Sequence, residues 1–155
     1  MIQRIQTVYL LLATALMSLT LFLPLATIWQ GGNEIIIKAW FVDGTVGFNA
    51  PLPLYLVILL SLTTILPLIT IFLYKKRMVQ IRFCVSEIVL LLGSAAFIAL
   101  YCYRMCDVLA ELMQDINFTL GFAALMPIVA IIPVVLAIRG IAKDEALVRS
   151  LDRIR

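Results

Sequence analysis

Four long stretches of the chain are almost free of charged side chains, and short polar segments separate them. The stretches cover residues 7–29, 53–74, 83–103 and 118–138. A run of about 20 apolar residues is enough to cross the hydrocarbon core as a helix. The pattern therefore predicts an all-α membrane protein with four transmembrane helices, forming a single integral membrane domain over residues 1–155. The rival for the first stretch is a cleaved signal peptide. Ala13-Thr14-Ala15 has the small-x-small form of a cleavage site, but it sits inside the apolar run, which continues to Trp29. An uncleaved first span is expected.

The polar segments predict the rest. Gly31, Gly32 and Asn33 are expected to end the first helix. Residues 34–42 are rich in β-branched and aromatic side chains. Asp43-Gly44 is a tight-turn dipeptide, and residues 45–48 can return as a second strand. This predicts a small outer β-hairpin between spans 1 and 2. Pro67 interrupts the second span, and Pro127 and Pro133 fall within the fourth. The hydroxyls of Ser61, Thr63, Thr64 and Thr70 can satisfy freed carbonyls or bond neighbouring helices. Residues 104–117 carry Asp107, Glu111 and Asp115 at four-residue spacing, which reads as an amphipathic extension of the third helix. Residues 139–155 form a charged amphipathic tail. Asn117-Phe118-Thr119 matches a glycosylation sequon, but it abuts the fourth span and is expected to be a chance match.

Composition and charge sharpen this picture. The chain is 64% hydrophobic and 14% charged, too few charges to cover a soluble domain of this size. Ten of the twelve cations (Arg4, Lys75, Lys76, Arg77, Arg82, Arg139, Lys143, Arg149, Arg153 and Arg155) fall on one side of the predicted spans, and Lys38 and Arg104 on the other. Cytoplasmic segments carry such an excess. The expected protein is thus a multi-pass one with both termini and the loop around Lys75-Lys76-Arg77 cytoplasmic. The cations flank the spans in short clusters, which is not a nucleic-acid footprint.

The two ends carry a resemblance. Met1-Ile2-Gln3-Arg4-Ile5-Gln6 running into Tyr9-Leu10-Leu11-Leu12, four spans, Lys143-Asp144-Glu145, Val148-Arg149-Ser150 and Asp152-Arg153-Ile154-Arg155 resemble an uncharacterised bacterial family of inner-membrane proteins, the domain-of-unknown-function family numbered 4293. The resemblance covers the whole chain. It implies a small protein of the bacterial inner (plasma) membrane and no assigned activity, so it brings no site residues.

Candidate chemistry is sparse. There is no His, no nucleophile elbow and no P-loop, so a non-enzymatic protein without metal or other cofactor is expected. Glu87 is the acidic residue within a span. It reads either as a structural ion pair with Arg82 or the Lys75-Lys76-Arg77 cluster, or as part of a proton or cation path. Four-span multidrug exporters carry a key carboxylate in the first span, and this first span has none. Cys102 and Cys106 stand one helical turn apart, with Cys84 toward the opposite side. They read as free structural thiols rather than a redox pair, which would want closer spacing and a second pair.

Lys75, Lys76, Arg77, Arg82, Lys143, Asp144, Glu145, Arg149, Asp152 and Arg153 are candidate contacts for a partner or for lipid headgroups. A membrane anchor needs only the cations. The interspersed acids suit a specific protein contact. Two polar ends on a bundle without a polar interior favour a structural or accessory subunit of an inner-membrane assembly, docked through the C-terminal tail to a membrane or cytoplasmic protein. The alternative is a small oligomeric transporter or channel using Glu87, with an interior lined by Ser86, Ser94 and hydroxyls of the second span. In either case the lipid bilayer is a partner.

Overall fold

The computed structural model describes residues 3–30, 33–44, 53–73, 76–112 and 117–152. Within them lie helices α1 (Gln3–Phe22), α2 (Leu54–Phe72), α3 (Arg77–Leu112) and α4 (Met126–Asp152). All four are long and apolar enough to cross a membrane. Each packs against its neighbours in the chain, and α4 closes the ring against α1. The outward faces carry side chains such as Ile58, Val89, Leu100 and Ile132, all more than half exposed. In water that belt would be unstable. In a bilayer it is the surface that lipid covers.

The inward faces follow a seven-residue rule. On α3 buried positions recur at Gln80, Cys84, Glu87, Leu91, Ser94, Ile98, Tyr101 and Met105, with Cys102 and Leu109 also buried toward the sheet end. Spacings alternate between four and three, the 3.5-residue period of helices that wrap around one another at a shallow angle. The same alternation gives Gln6, Leu10, Ala13, Met17 and Thr20 on α1. It gives Leu56, Leu60, Thr63, Pro67 and Thr70 on α2, and Ala130, Val134, Ala137, Ile141 and Asp144 on α4.

One end of the bundle is capped by a four-stranded antiparallel sheet. Strands β1 (Ala26–Gln30), β2 (Asn33–Ile37), β3 (Val42–Gly44) and β4 (Asn117–Leu120) stand in the order β3-β2-β1-β4. Ala26, Ile28, Ile35 and Ile37 are buried and belong to the same core as the helices. They alternate with the exposed Trp29 and Glu34, the period-two pattern of a sheet packed on one face. After β4, a single 3-10 turn, Phe122–Leu125, leads into α4.

The expected architecture of four helices and a small outer sheet between the first two holds, and several boundaries differ. Helix α1 stops at Phe22, short of Trp29. Pro24 lacks an N–H and disfavours helix in the residue before it, and the β-branched and aromatic run that follows pairs as β1. Gln30 pairs with Asn33, so Asn33 belongs to a strand rather than to a helix end, and Gly31 and Gly32 lie outside the described residues. Asp43-Gly44 belongs to β3 rather than to a turn. The chain instead reverses between β2 and β3 at Lys38, whose N–H donates to the Phe41 carbonyl at 3.0 Å. The expected return strand at 45–48 lies outside the described residues.

Further along, Arg77 and Arg82 are already helical, and α3 absorbs both the third span and much of its predicted extension. The sequon residues form β4 instead of the start of the fourth span. Pro127 falls in the first turn of α4, where its missing N–H is harmless, which leaves Pro133 as the proline inside that helix. The tail continues α4 without a break as far as Asp152.

Gly121 closes the helix-side end of the β1–β4 pairing. Its N–H donates to the Leu25 carbonyl at 2.8 Å. A Cβ at this position would overlap the Pro24 carbonyl oxygen, so glycine is what lets the two backbones meet.

Candidate functional site

The interior is not apolar throughout, contrary to expectation. Gln6, Thr20, Thr63, Thr70, Gln80, Glu87, Ser94 and Asp144 are all buried. Each occupies the same one of the two alternating seam positions on its helix. Ala13, Leu56, Ala130, Ala137 and Tyr101 fill the remaining turns of that position. The other position holds Leu10, Met17, Leu60, Pro67, Cys84, Leu91, Ile98, Met105, Val134 and Ile141.

The register between helices is anchored at the end away from the sheet. Gln6 Nε2 donates to Asp144 Oδ2 at 2.7 Å, and Arg77 Nη1 donates to the Asp144 backbone carbonyl at 3.1 Å. One residue of α4 thus ties α1 and α3 together. Gly140, one turn before Asp144, makes room for Gln6: a Cβ there would stand 3.0 Å from Gln6 Cγ. On the other side of α3, the Tyr55 and Phe97 rings meet at 5.7 Å and set α2 against α3. Stepping seven residues from the first layer brings Ala13, Thr63, Glu87 and Ala137 to one level, about 10 Å further into the bundle. The next step brings Thr20, Leu56, Ser94 and Ala130 to one level.

Glu87 thus stands at the same seven-residue step as the small residues Ala13, Thr63 and Ala137. It is 1% exposed, and both carboxyl oxygens are without a hydrogen-bond partner among the described residues. The expected pair with Arg82 is not made. Five residues at about 100° each place Arg82 well away from the face that carries Glu87, and Arg82 is exposed. Thr63 does not serve Glu87 as donor, because its hydroxyl donates to its own helix at Leu60 (2.9 Å) and Leu59 (3.2 Å). Thr70 and Ser94 likewise donate to Leu66 and Leu91, each at 2.8 Å. These hydroxyls keep lone pairs that can accept a proton donor. Ser86, expected to line the interior, is exposed.

The chain matches the model of the family described as Domain of unknown function (DUF4293) over residues 2–154. It belongs to that family. Among curated proteins, none matches this DUF4293 chain.

The remaining candidate residues divide. Asp144 is buried and committed within the bundle, and Arg77 is half-buried and bonded to it. Lys76, Arg82 and Lys143 are exposed, and Glu145 is half-buried. Glu145 lines, with Met78, Ile81, Ala142 and Ala146, a shallow cleft of about 280 Å³ between α3 and α4. Arg149 and Asp152 lie on α4 with side chains outside the described residues, and Lys75 and Arg153 lie wholly outside them. Cys84 and Cys102 are buried, Cys106 is half-buried, and all three are free thiols. Among the described residues no group of three or more Cys, Asp or Glu side chains is placed to hold a metal ion.

Tyr101 escaped the sequence reading. Its hydroxyl is buried and also lacks a hydrogen-bond partner among the described residues. The signal was present as the seven-residue recurrence Gln80, Glu87, Ser94, Tyr101.

Proposed function

We propose that this DUF4293 chain is a small non-enzymatic transporter or channel of a bacterial inner membrane, with both termini cytoplasmic and Glu87 as the group that takes up and releases the moving ion. The observation that carries this reading is the buried, orphaned carboxyl of Glu87. A side chain kept for structure makes bonds, and this one makes none among the described residues. An ionised carboxylate buried without a partner costs several kcal/mol, and a proton or a small cation cancels its charge. The distribution of Lys and Arg supports the orientation, and the family resemblance supports the bacterial membrane.

The test is ion flux in phospholipid vesicles containing the purified protein, read with a potential-sensitive dye under imposed proton, sodium or potassium gradients. Wild-type vesicles are expected to respond to one of these gradients and Glu87→Gln vesicles to behave as empty ones. Equal response from both, or none from wild type, overturns the reading.

A second reading, an accessory subunit of a membrane assembly, is favoured by the cleft between α3 and α4 near the exposed cations Lys76 and Lys143. It would use a partner at that cleft. Because Asp144 is committed inside the bundle, the informative truncation removes residues 147–155 and leaves 144 in place. Loss of a stoichiometric crosslinked partner on that truncation, with no ion flux from wild type, selects this reading.

A further inference from the structure

We propose that the moving ion is a proton, and that Tyr101 is the second exchange point on a single path along the polar seam of α3. This rests on the reading of Glu87 given above and adds the identity of the ion and its route. Hard metal cations collect about six or more oxygen ligands. The groups left without partners among the described residues on this seam are the Glu87 carboxyl and the Tyr101 hydroxyl, about 20 Å apart along α3, and both exchange protons. A path through a carboxyl and a phenol suits a proton, which each can bind and release, whereas a metal cation would find a ligand of matching charge in the carboxyl alone.

The route follows from the seam. Gln80, Glu87, Ser94 and Tyr101 recur every seventh residue on one face of α3, with exposures of 5%, 1%, 0% and 5%. They form steps of about 10 Å from the Gln6–Asp144 end toward the sheet. Tyr101 is the step nearest the sheet, and its hydroxyl, like the Glu87 carboxyl, is unpartnered among the described residues. Cys84 beside Glu87, and Tyr55 and Cys102 beside Tyr101, are the titratable neighbours. The buried faces of α1 and α4 add Asp144 among the described residues.

Steps of this length need intervening water. The Tyr101 oxygen accepts a proton from water on the sheet side while its own hydrogen passes to water on the Glu87 side. No net charge stays on the ring. Glu87 then receives a proton on one carboxyl oxygen and gives it up toward Gln80 and the Asp144 end. Each step breaks one O–H bond and forms one, with water as the sole co-reactant.

The experiment uses full-length protein in vesicles of phosphatidylcholine and phosphatidylglycerol, with a trapped pH dye and valinomycin with potassium to balance charge. Wild type is expected to relax an imposed pH step faster than empty vesicles, with or without sodium. Tyr101→Phe is expected to slow that relaxation about tenfold. Tyr103→Phe, on the exposed face two residues on, is expected to leave it unchanged. Glu87→Asp, which keeps a carboxyl, is expected to retain part of the flux that Glu87→Gln abolishes, and so separates lost chemistry from lost folding. Covalent labelling of Glu87 by a hydrophobic carbodiimide, read by mass spectrometry in the same vesicles, is expected to respond to pH on the sheet side in wild type and to lose that response in Tyr101→Phe.

Wild-type flux and labelling in Tyr101→Phe, with Glu87→Gln inactive, overturns the route and leaves the Glu87 reading standing. Glu87-dependent movement of sodium or potassium without proton movement overturns the choice of ion. Unchanged flux in Glu87→Gln overturns both.

Discussion

Two acids sit on the same seam position of neighbouring helices, and the fold treats them in opposite ways. Asp144 receives the Gln6 amide at 2.7 Å, and Arg77 binds its backbone carbonyl. Glu87, one layer further into the bundle, receives nothing from the described residues. Burial is nearly the same in kind, and partnership differs. The contrast teaches that a buried acid in this bundle is not by itself a functional group. Asp144 is explained by the three helices it joins. Glu87 has no such explanation, which is why the functional reading falls on it.

The sharpest way to break this contrast is to remove each acid's charge in turn. Glu87→Gln is expected to reduce ion flux to the level of empty vesicles while leaving thermal unfolding in detergent within about 0.5 kcal/mol of wild type, because no mapped bond is lost. If it unfolds the protein instead, Glu87 belongs with Asp144. The converse variant, Asp144→Ala, strands the buried Gln6 amide, and a loss of about 1–3 kcal/mol is expected in the same unfolding assay. Combining it with Gln6→Ala should cost less than the two separate losses added together, since the pair is in direct contact. Strict additivity would mean the bond carries no weight.

Gly121→Ala addresses the end of the β1–β4 pairing rather than the seam. Overlap with the Pro24 carbonyl is expected to destabilise by about 1–2 kcal/mol and to raise hydrogen exchange at the β4 amides more than at the centre of α3. Uniform change across both would show that sheet and helices unfold as one unit. The smallest effect is expected from Lys143→Glu, an exposed position where stability should stay within about 0.5 kcal/mol. A larger loss would show that the polar end depends on surface charge as well as on the Gln6–Asp144 bond.

Much of this was legible in the sequence, for physical reasons that also mark where legibility ends. Four apolar runs announce four helices, since length and hydrophobicity suffice for a membrane span. The same measure cannot separate a helix from a strand at its end, which is why residues 26–29 were expected to continue α1. Pro24 and the run Thr27, Ile28, Trp29 were the signal to the contrary. Strand β4 was hidden for another reason: its partner is far away in the chain, Thr27 opposite Thr119, and local pattern carries no trace of that pairing. Glu87 was visible as an acid in a span. Its isolation was not, because the nearest cation in sequence is five residues off and so points elsewhere. The polar seam was readable as a seven-residue recurrence on α3, but one helix alone does not tell which face its neighbours will cover.

The strand order has a consequence for biogenesis. Translation delivers β1, β2 and β3 early, yet β1 keeps one open edge until β4 emerges after the whole of α3. The Gly121–Leu25 bond must wait for the same moment. The cap therefore cannot close over a chain whose second and third helices are missing. Until residues 117–120 arrive, the open edge on that side is β1, whose buried residues belong to the helix core; afterwards it is the exposed β4.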